Sequence, residues 1–390
     1  MFVPKSVVCL RDYSWKQFQA DAGAGLVVGL VAVPLAMAFS IACGLPPERG
    51  LYTAVVAGFL LSALSGSRVA IGGPTGAFIV VIAGVVGRYG YEGLALATAM
   101  AGLLLVILGL ARLGGFVKFI PPPVVTGFTA GIAVVIFSTQ IKDGLGLPLA
   151  SLPADFIPKW AAYLKALPDL NPYALGLGFL TAVGTLVWPR EWKVPGSLMA
   201  LVAASLAAQA AHLPVETIGS RFGEIPAGLP SFHWIHGTGA DLLRLLPSAC
   251  LIAGLAAIES LLCAVVADRL IDGHHKSNLE LAAQGVSNVA SAFWGGIPAT
   301  GAIARTVTNV RNGGRTPVAG MIHALVVLAV LLAAGPLAAR IPLAALSGIL
   351  GVVCLHMFEW SAVRAALKNG WEGALVFGLT FSLTIFTNLT

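Results

Sequence analysis

Two charged side chains, Glu259 and Arg305, interrupt stretches that are otherwise apolar, and near them a tripeptide recurs, Thr75-Gly76-Ala77 and Thr300-Gly301-Ala302. Each copy opens an apolar piece too short to cross a bilayer alone, which is how a broken membrane helix reads in sequence. A helix that starts in mid-membrane presents unpaired backbone N–H groups and a partial positive charge. Each such terminus favours an anion by about 0.3 to 1 kcal/mol, or about 2 kcal/mol when shielded from water. Glycine at 76 and 301 keeps side-chain bulk off that backbone. Arg305 lies five residues past Thr300, about 7 Å deeper by helical rise. Because helical side chains lean back towards the N-terminus, its guanidinium reaches an anion held there. A fixed ion pair with Glu259 or Asp268, or snorkelling to the interface, would equally explain an arginine at this position. Glu259 is the only acid between Leu242 and Ala267. A carboxylate in such surroundings is expensive unless it has work or a partner. It is therefore a candidate proton carrier or sodium ligand, with a structural ion pair as the alternative.

Other chemistries find little support. Gly72-Gly73-Pro74-Thr75-Gly76 lacks the following Lys-Ser/Thr of a nucleotide loop. His274 and His275 stand beside Lys276 in a polar stretch that reads as a solvated turn, not a metal site. The five cysteines, Cys9, Cys43, Cys250, Cys263 and Cys354, have no paired spacing. Neither a nucleophile–base pair nor a metal cluster is evident, so an enzyme is not expected, and no cofactor beyond a coupling proton or sodium ion is implied.

The elements that must carry these residues lie in lipid. With 57% hydrophobic and 10% charged residues and a mean hydropathy of +0.89, the chain has more apolar surface than a water-soluble core could bury. Its continuous apolar runs do not suit a β-barrel. Spans are expected near 22–43, 50–65, 93–111, 120–138, 171–188, 195–211, 243–266, 279–294, 316–335, 341–358 and 371–388, with half-helices at 74–87 and 299–310. Short strands, Val69 to Gly72 and Phe293 to Ile297, are expected before the half-helices. That gives seven segments before the hydrophilic stretch at 212–241 and six after it.

A second match, Ile120-Pro121 to Thr126-Gly127 against Ile341-Pro342 to Ser347-Gly348, recurs at nearly the same spacing as the tripeptides and argues for an internal repeat. Repeat one spans about 15–211 and repeat two about 241–390, all within a single transmembrane domain covering 1–390. An odd number of segments per repeat inverts the second copy, so the half-helix near Thr75 and that near Thr300 point their N-termini at each other. Seven plus seven would be complete, so a last helix is expected beyond this chain. A cytoplasmic N-terminus puts Lys5, Arg11, Lys16, Arg68, Arg112, Lys118, Arg190, Lys193, Arg269, Lys276, Arg311, Arg315, Arg364 and Lys368 inside. This bias accounts for most of the net charge of +6 without invoking nucleic acid. No signal peptide is evident, and the inner membrane of a prokaryote is the default location. The Gly25/Gly29 and Gly127/Gly131 spacings suit helix packing and leave a homodimer open.

Asp21-Ala22-Gly23, Pro34, Gly44-Leu45-Pro46-Pro47 and Gly50-Leu51-Tyr52 resemble the opening signature of the sulfate permease (SulP) anion transporters, the bacterial relatives of prestin and pendrin. Gly66-Ser67-Arg68, Gly73-Pro74, Glu259-Ser260-Leu261-Leu262, Asp268-Arg269 and the run from Gly295 to Thr306 extend the likeness along nearly the whole chain. The resemblance implies an all-α membrane protein of two inverted seven-segment repeats, with segments 1–4 and 8–11 forming a core domain and 5–7 and 12–14 a gate domain. It also implies a cytoplasmic STAS domain, not present in this sequence. It places Leu35 and Phe39 at the substrate cavity, and positive charge from Arg305 there. Where the family commonly has glutamine after the first-helix proline, Leu35 stands here. The implied activity is secondary active transport of a small anion such as sulfate, bicarbonate or a dicarboxylate, proton-coupled and elevator-like. An uncoupled channel or exchanger of the prestin kind, or a nucleobase–cation symporter of the same plan, is the rival reading.

Overall fold

The computed structural model describes residues 3–115, 121–149, 152–153, 156–189, 192, 194–223, 226, 228–358, 360–368 and 370–386. Ile120, Lys118, Arg190 and Lys193, used above for the repeat and the orientation, lie outside them.

The chain opens with α1 (Lys5–Cys9), α2 (Trp15–Ala42), α3 (Pro47–Leu64), β1 (Gly72–Gly73) and a 3-10 turn, Gly76–Phe78, that runs into α4 (Ile79–Leu110). It continues with α5 (Pro122–Leu145), α6 (Phe156–Ala166), α7 (Pro172–Val187), α8 (Gly196–Ala210) and α9 (Ile218–Phe222). The later part comprises α10 (Gly239–Ile271), α11 (Ser277–Phe293), β2 (Thr300–Gly301), α12 (Ile303–Arg311), α13 (Pro317–Ala338), α14 (Leu343–Met357), α15 (Trp360–Lys368) and α16 (Trp371–Phe386). Five of these helices, among them α2, α5, α10 and α13, are long and apolar enough to cross a membrane by themselves. Local chemistry sets many of the starts. Ser14 accepts from Gln17 N–H at the head of α2, Thr238 and Asp241 form a capping box on α10, and prolines occupy the first turns of α3, α5 and α7. In α4, Gly90 adopts φ +68°, a left-handed conformation that glycine enters without penalty, and it divides the half-helix from the full span.

The expected strands are present but displaced. Phe293 closes α11, and Gly295, at φ +75°, turns the chain. The strand therefore forms not at Phe293 to Ile297 but at Thr300–Gly301, and its partner is Gly72–Gly73. The two pair antiparallel, Gly72 opposite Gly301 and Gly73 opposite Thr300. Pro74 has no N–H to donate and ends β1. The repeated tripeptides thus differ in register. Thr75 caps the first half-helix, whereas Thr300 and Gly301 are strand, Ala302 is the cap, and α12 begins at Ile303. The short helices α6, α9 and α15 were not expected, since they are too short or too polar to read as spans.

The chain forms two compact units, Met1–Lys118 with Pro226–Gly335, and Phe119–Ile225 with Pro336–Thr390. These group the segments as a core and a gate domain. In the first unit, α4 and α11 approach backbone to backbone, since a Cβ on Gly102 would sit 2.7 Å from the Gly285 carbonyl oxygen. Gly25 and Gly29 of α2 face Ala319, Ile322 and Val326 of α13. Asp21, fully buried, accepts from Arg315 N–H (2.8 Å), Thr316 N–H (3.2 Å) and Tyr13 OH (2.9 Å), tying α2 to the start of α13. In the second unit, Gly127 and Gly131 of α5 face Phe377 and Thr384 of α16. There Arg221 binds Asp143 at 2.7 Å and Glu216 at 2.5 Å.

Candidate functional site

The strand pair decides where the predicted residues go. Because β1 and β2 are antiparallel, the half-helices that follow them leave in opposite directions from adjacent starting points. No side chain caps either terminus. The Thr75 hydroxyl is buried with no hydrogen-bond partner, while Gly76 and Ala77 are buried behind it. Thr300 is fully buried and donates from Oγ1 to the Ala256 carbonyl (3.3 Å). Gly301 N–H donates to Ser260 Oγ (3.2 Å), and Ala302 N–H to the Ile71 carbonyl (2.8 Å). Thr75, Gly76, Ala77, Thr300, Gly301 and Ala302 are thereby gathered at one place, although Gly301 turns its Cα face to α10. A Cβ there would lie 3.0 Å from Cys263 Cβ.

Arg305 is 3% exposed and lies beneath β1. Its Nη2 donates to the Pro74 carbonyl (2.9 Å), and its Nη1, against Gly73, has no partner. Gly73 sits at φ +153°, a conformation L side chains rarely adopt, and a Cβ on it would displace that Nη1 from its present place. The ion pairs considered for Arg305 do not form. Asp268 instead holds His275 through Nδ1 at 2.6 Å, within the partly exposed turn that also carries the exposed His274. Glu259, half-buried on α10 between Ala256 and Ser260, makes no hydrogen bond or ion pair among the described residues. On α2, Leu35 is half-buried and Phe39 buried, about two turns and one turn before Cys43. The Cys43 thiol lies 3.9 Å from the Ile79 carbonyl at the first half-helix, so α2 passes beside the site.

Sequence reasoning missed the groups that hold this geometry. From α12, Thr306 Oγ1 accepts from Ile71 N–H (3.0 Å) and Asn309 donates to the Val69 carbonyl (2.9 Å). From α11, Glu280 accepts from Ser65 Oγ (2.6 Å), Gly66 N–H (2.9 Å) and Ser67 N–H (3.1 Å). One turn on, Gln284 Nε2 donates to the Ala299 carbonyl (2.5 Å) and its Oε1 accepts from Ser260 Oγ (2.7 Å). After another turn, Asn288 takes both backbone groups of Ala299, at 2.8 and 3.1 Å. The four-residue spacing of Glu280, Gln284 and Asn288 along one expected span was the available signal. Among the described residues, the assembly brings a cation, helix termini and an orphan hydroxyl together with no carboxylate paired to them. Such an arrangement suits an anion.

Comparison with known proteins agrees with that chemistry. Residues 18–379 match the profile described as the Sulfate permease family. YvdB of Bacillus subtilis, which carries a provisional sulfate-transporter name, is 44% identical over 97% of this chain and 72% of its own. The bicarbonate transporter BicA of a Picosynechococcus species is 33% identical over 96% of this chain and 68% of its own. The solved transmembrane domain of a cyanobacterial BicA superposes with a TM-score of 0.88 at 33% identity, covering 97% of each chain. Murine Slc26a9 in an inward-facing state gives 0.88 over 100% of this chain and 68% of its own, and at 18% identity it speaks to the fold alone.

Proposed function

The chain belongs to the sulfate permease family, and from that premise we propose that it is a secondary active transporter carrying a small oxyanion or dicarboxylate by proton-coupled symport. It is a multi-pass membrane protein and an anion transporter. The narrower reading rests on one observation: two uncapped half-helix termini start side by side on an antiparallel strand pair, with the unpaired Nη1 of Arg305 beneath. The substrate class is sulfate, bicarbonate or a dicarboxylate such as fumarate, bound at Thr75, Gly76, Ala77, Thr300 to Ala302 and Arg305, with Leu35 and Phe39 shaping the α2 wall. Glu259 takes the coupling ion, a proton or sodium. The transport step is an elevator-like displacement of the site-bearing unit, in an inner membrane with the N-terminus cytoplasmic. Uptake of labelled sulfate, bicarbonate and fumarate into proteoliposomes, with and without a pH gradient, tests this reading. Accumulation of one of them above its external concentration under the gradient is the expected result. Anion-specific currents without accumulation would instead identify an uncoupled channel.

A further inference from the structure

Among the buried ionisable groups, His323 on α13 is absorbed neither by the site described above nor by packing. It is fully buried, and although the Gly320 backbone one turn back stands close, neither ring nitrogen makes a well-formed hydrogen bond. A neutral imidazole carries one donor and one acceptor, and leaving both unmade in a core is destabilising. A residue placed for packing alone would be apolar. The fold instead clears a slot for the ring. Gly58 of α3 faces it, and a Cβ there would lie 3.4 Å from His323 Cε1 and 3.2 Å from the Gly72 carbonyl oxygen of β1. Gly29 of α2 faces the His323 backbone carbonyl. The ring is thus one glycine away from the strand that joins the two half-helices.

Arg305 of α12 reaches the same strand, with its Nη1 against Gly73, next to the Gly72 whose carbonyl borders the slot of the ring. The other charges on the surrounding elements are engaged or distant. Asp21 on α2 is occupied by Arg315 and Thr316, Glu48 and Arg49 lie in the first turn of α3, and β1 carries none. We propose that His323 is a proton-binding site linked to the anion site, so that an anion at the half-helix termini and a proton on the imidazole bind cooperatively and travel together. This rests on the anion-site reading given above. The physical basis is reciprocal: an anion that neutralises Arg305 makes the same region favourable for a proton, and a proton there makes it favourable for an anion. Glu259, on α10, is a separate position. The linkage therefore allows more than one coupling cation per anion, as electroneutral carriage of a divalent oxyanion requires.

The test is binding at equilibrium of sulfate, nitrate and chloride, none of which titrates between pH 5 and 8, to the whole purified chain in lipid nanodiscs. Proton uptake is followed in weak buffer. The wild type takes up protons as the anion binds, and affinity rises by up to about tenfold for each pH unit lowered. His323→Gln, and independently His323→Phe, lower the uptake by about one proton per anion and flatten the pH dependence, while binding at high pH persists. Glu259→Gln retains the His323 share. Wild-type binding without proton uptake, or uptake unchanged in both His323 variants, would overturn the proposal and leave the anion site standing. Failure of these three, and of fumarate and bicarbonate at pH 8, to bind the wild type would remove the anion site and the linkage together.

Discussion

Arg305 has a divided guanidinium, with Nη2 bound to the Pro74 carbonyl and Nη1 without a partner among the described residues. On the proposed function the free Nη1 supplies charge to the anion, and Arg305→Ala is expected to weaken anion binding by about tenfold or more, the scale of one charge-assisted contact. Arg305→Lys retains charge but loses the Pro74 link and falls between. Radioligand binding by monodisperse variants checks this, and equal affinity in Arg305→Ala would refute the assignment. Glu259, with no partner of its own, predicts a different signature. Glu259→Gln is expected to lower accumulation driven by a proton or sodium gradient while anion exchange survives, because an amide neither titrates nor supplies a full charge. Unchanged gradient dependence would confine Glu259 to structure. Both residues were legible because a charge in an apolar run is conspicuous. The position of Arg305 under Gly73 was not, since it depends on a strand pair whose two halves lie far apart in the chain.

At the scale of elements, continuous apolar runs located every long span, and the repeated tripeptide located both half-helices. The register of the second copy escaped because a two-residue strand gives too short a pattern to read, and only its partner fixes it. That shift changes what Gly301 does. A Cβ at 301 would lie 3.0 Å from Cys263 Cβ and 3.3 Å from Ser260 Oγ on α10, so a side chain there pushes the strand off α10 and does not plug an opening. Gly301→Ala is expected to impair uptake, and Cys263→Gly in the same chain to restore part of it by vacating the space. A double variant no better than the single one would show that the glycine acts elsewhere. His323, Gln284 and Asn288 were passed over for one reason: polar residues inside an apolar helix were weighed one at a time and not as faces.

At the scale of the whole molecule, the first unit keeps a buried cation, a buried hydroxyl and two helix termini with no ion pair to them among the described residues. On the proposed function, an anion that binds there completes the polar structure of the unit as well as being its cargo. A ligand at about one hundred times its dissociation constant stabilises the form it binds by about 2.7 kcal/mol. The transported anion is therefore expected to raise the thermal midpoint of the wild type in detergent, measured by tryptophan fluorescence or calorimetry, and not that of Arg305→Ala. An equal rise in both would mark a general salt effect.

The pairing of Gly72 with Gly301 also sets a timetable. About 230 residues separate the partners, and at about 5 to 20 residues per second a ribosome needs on the order of 10 to 50 s to supply the second strand. Until then the backbone of the first strand would face hydrocarbon with its hydrogen bonds unmade, at several kcal/mol for each group. The segment from residue 72 to 89 is thus expected to stay at the aqueous boundary of a nascent chain and to enter the bilayer out of sequence order. Single cysteines placed in that segment of a chain stalled before residue 300 report on it by labelling with a water-soluble maleimide, and protection at that stage would refute delayed entry. The later repeat then acts on the earlier one as an intramolecular chaperone, and the site is assembled only when the second half of the chain has been made.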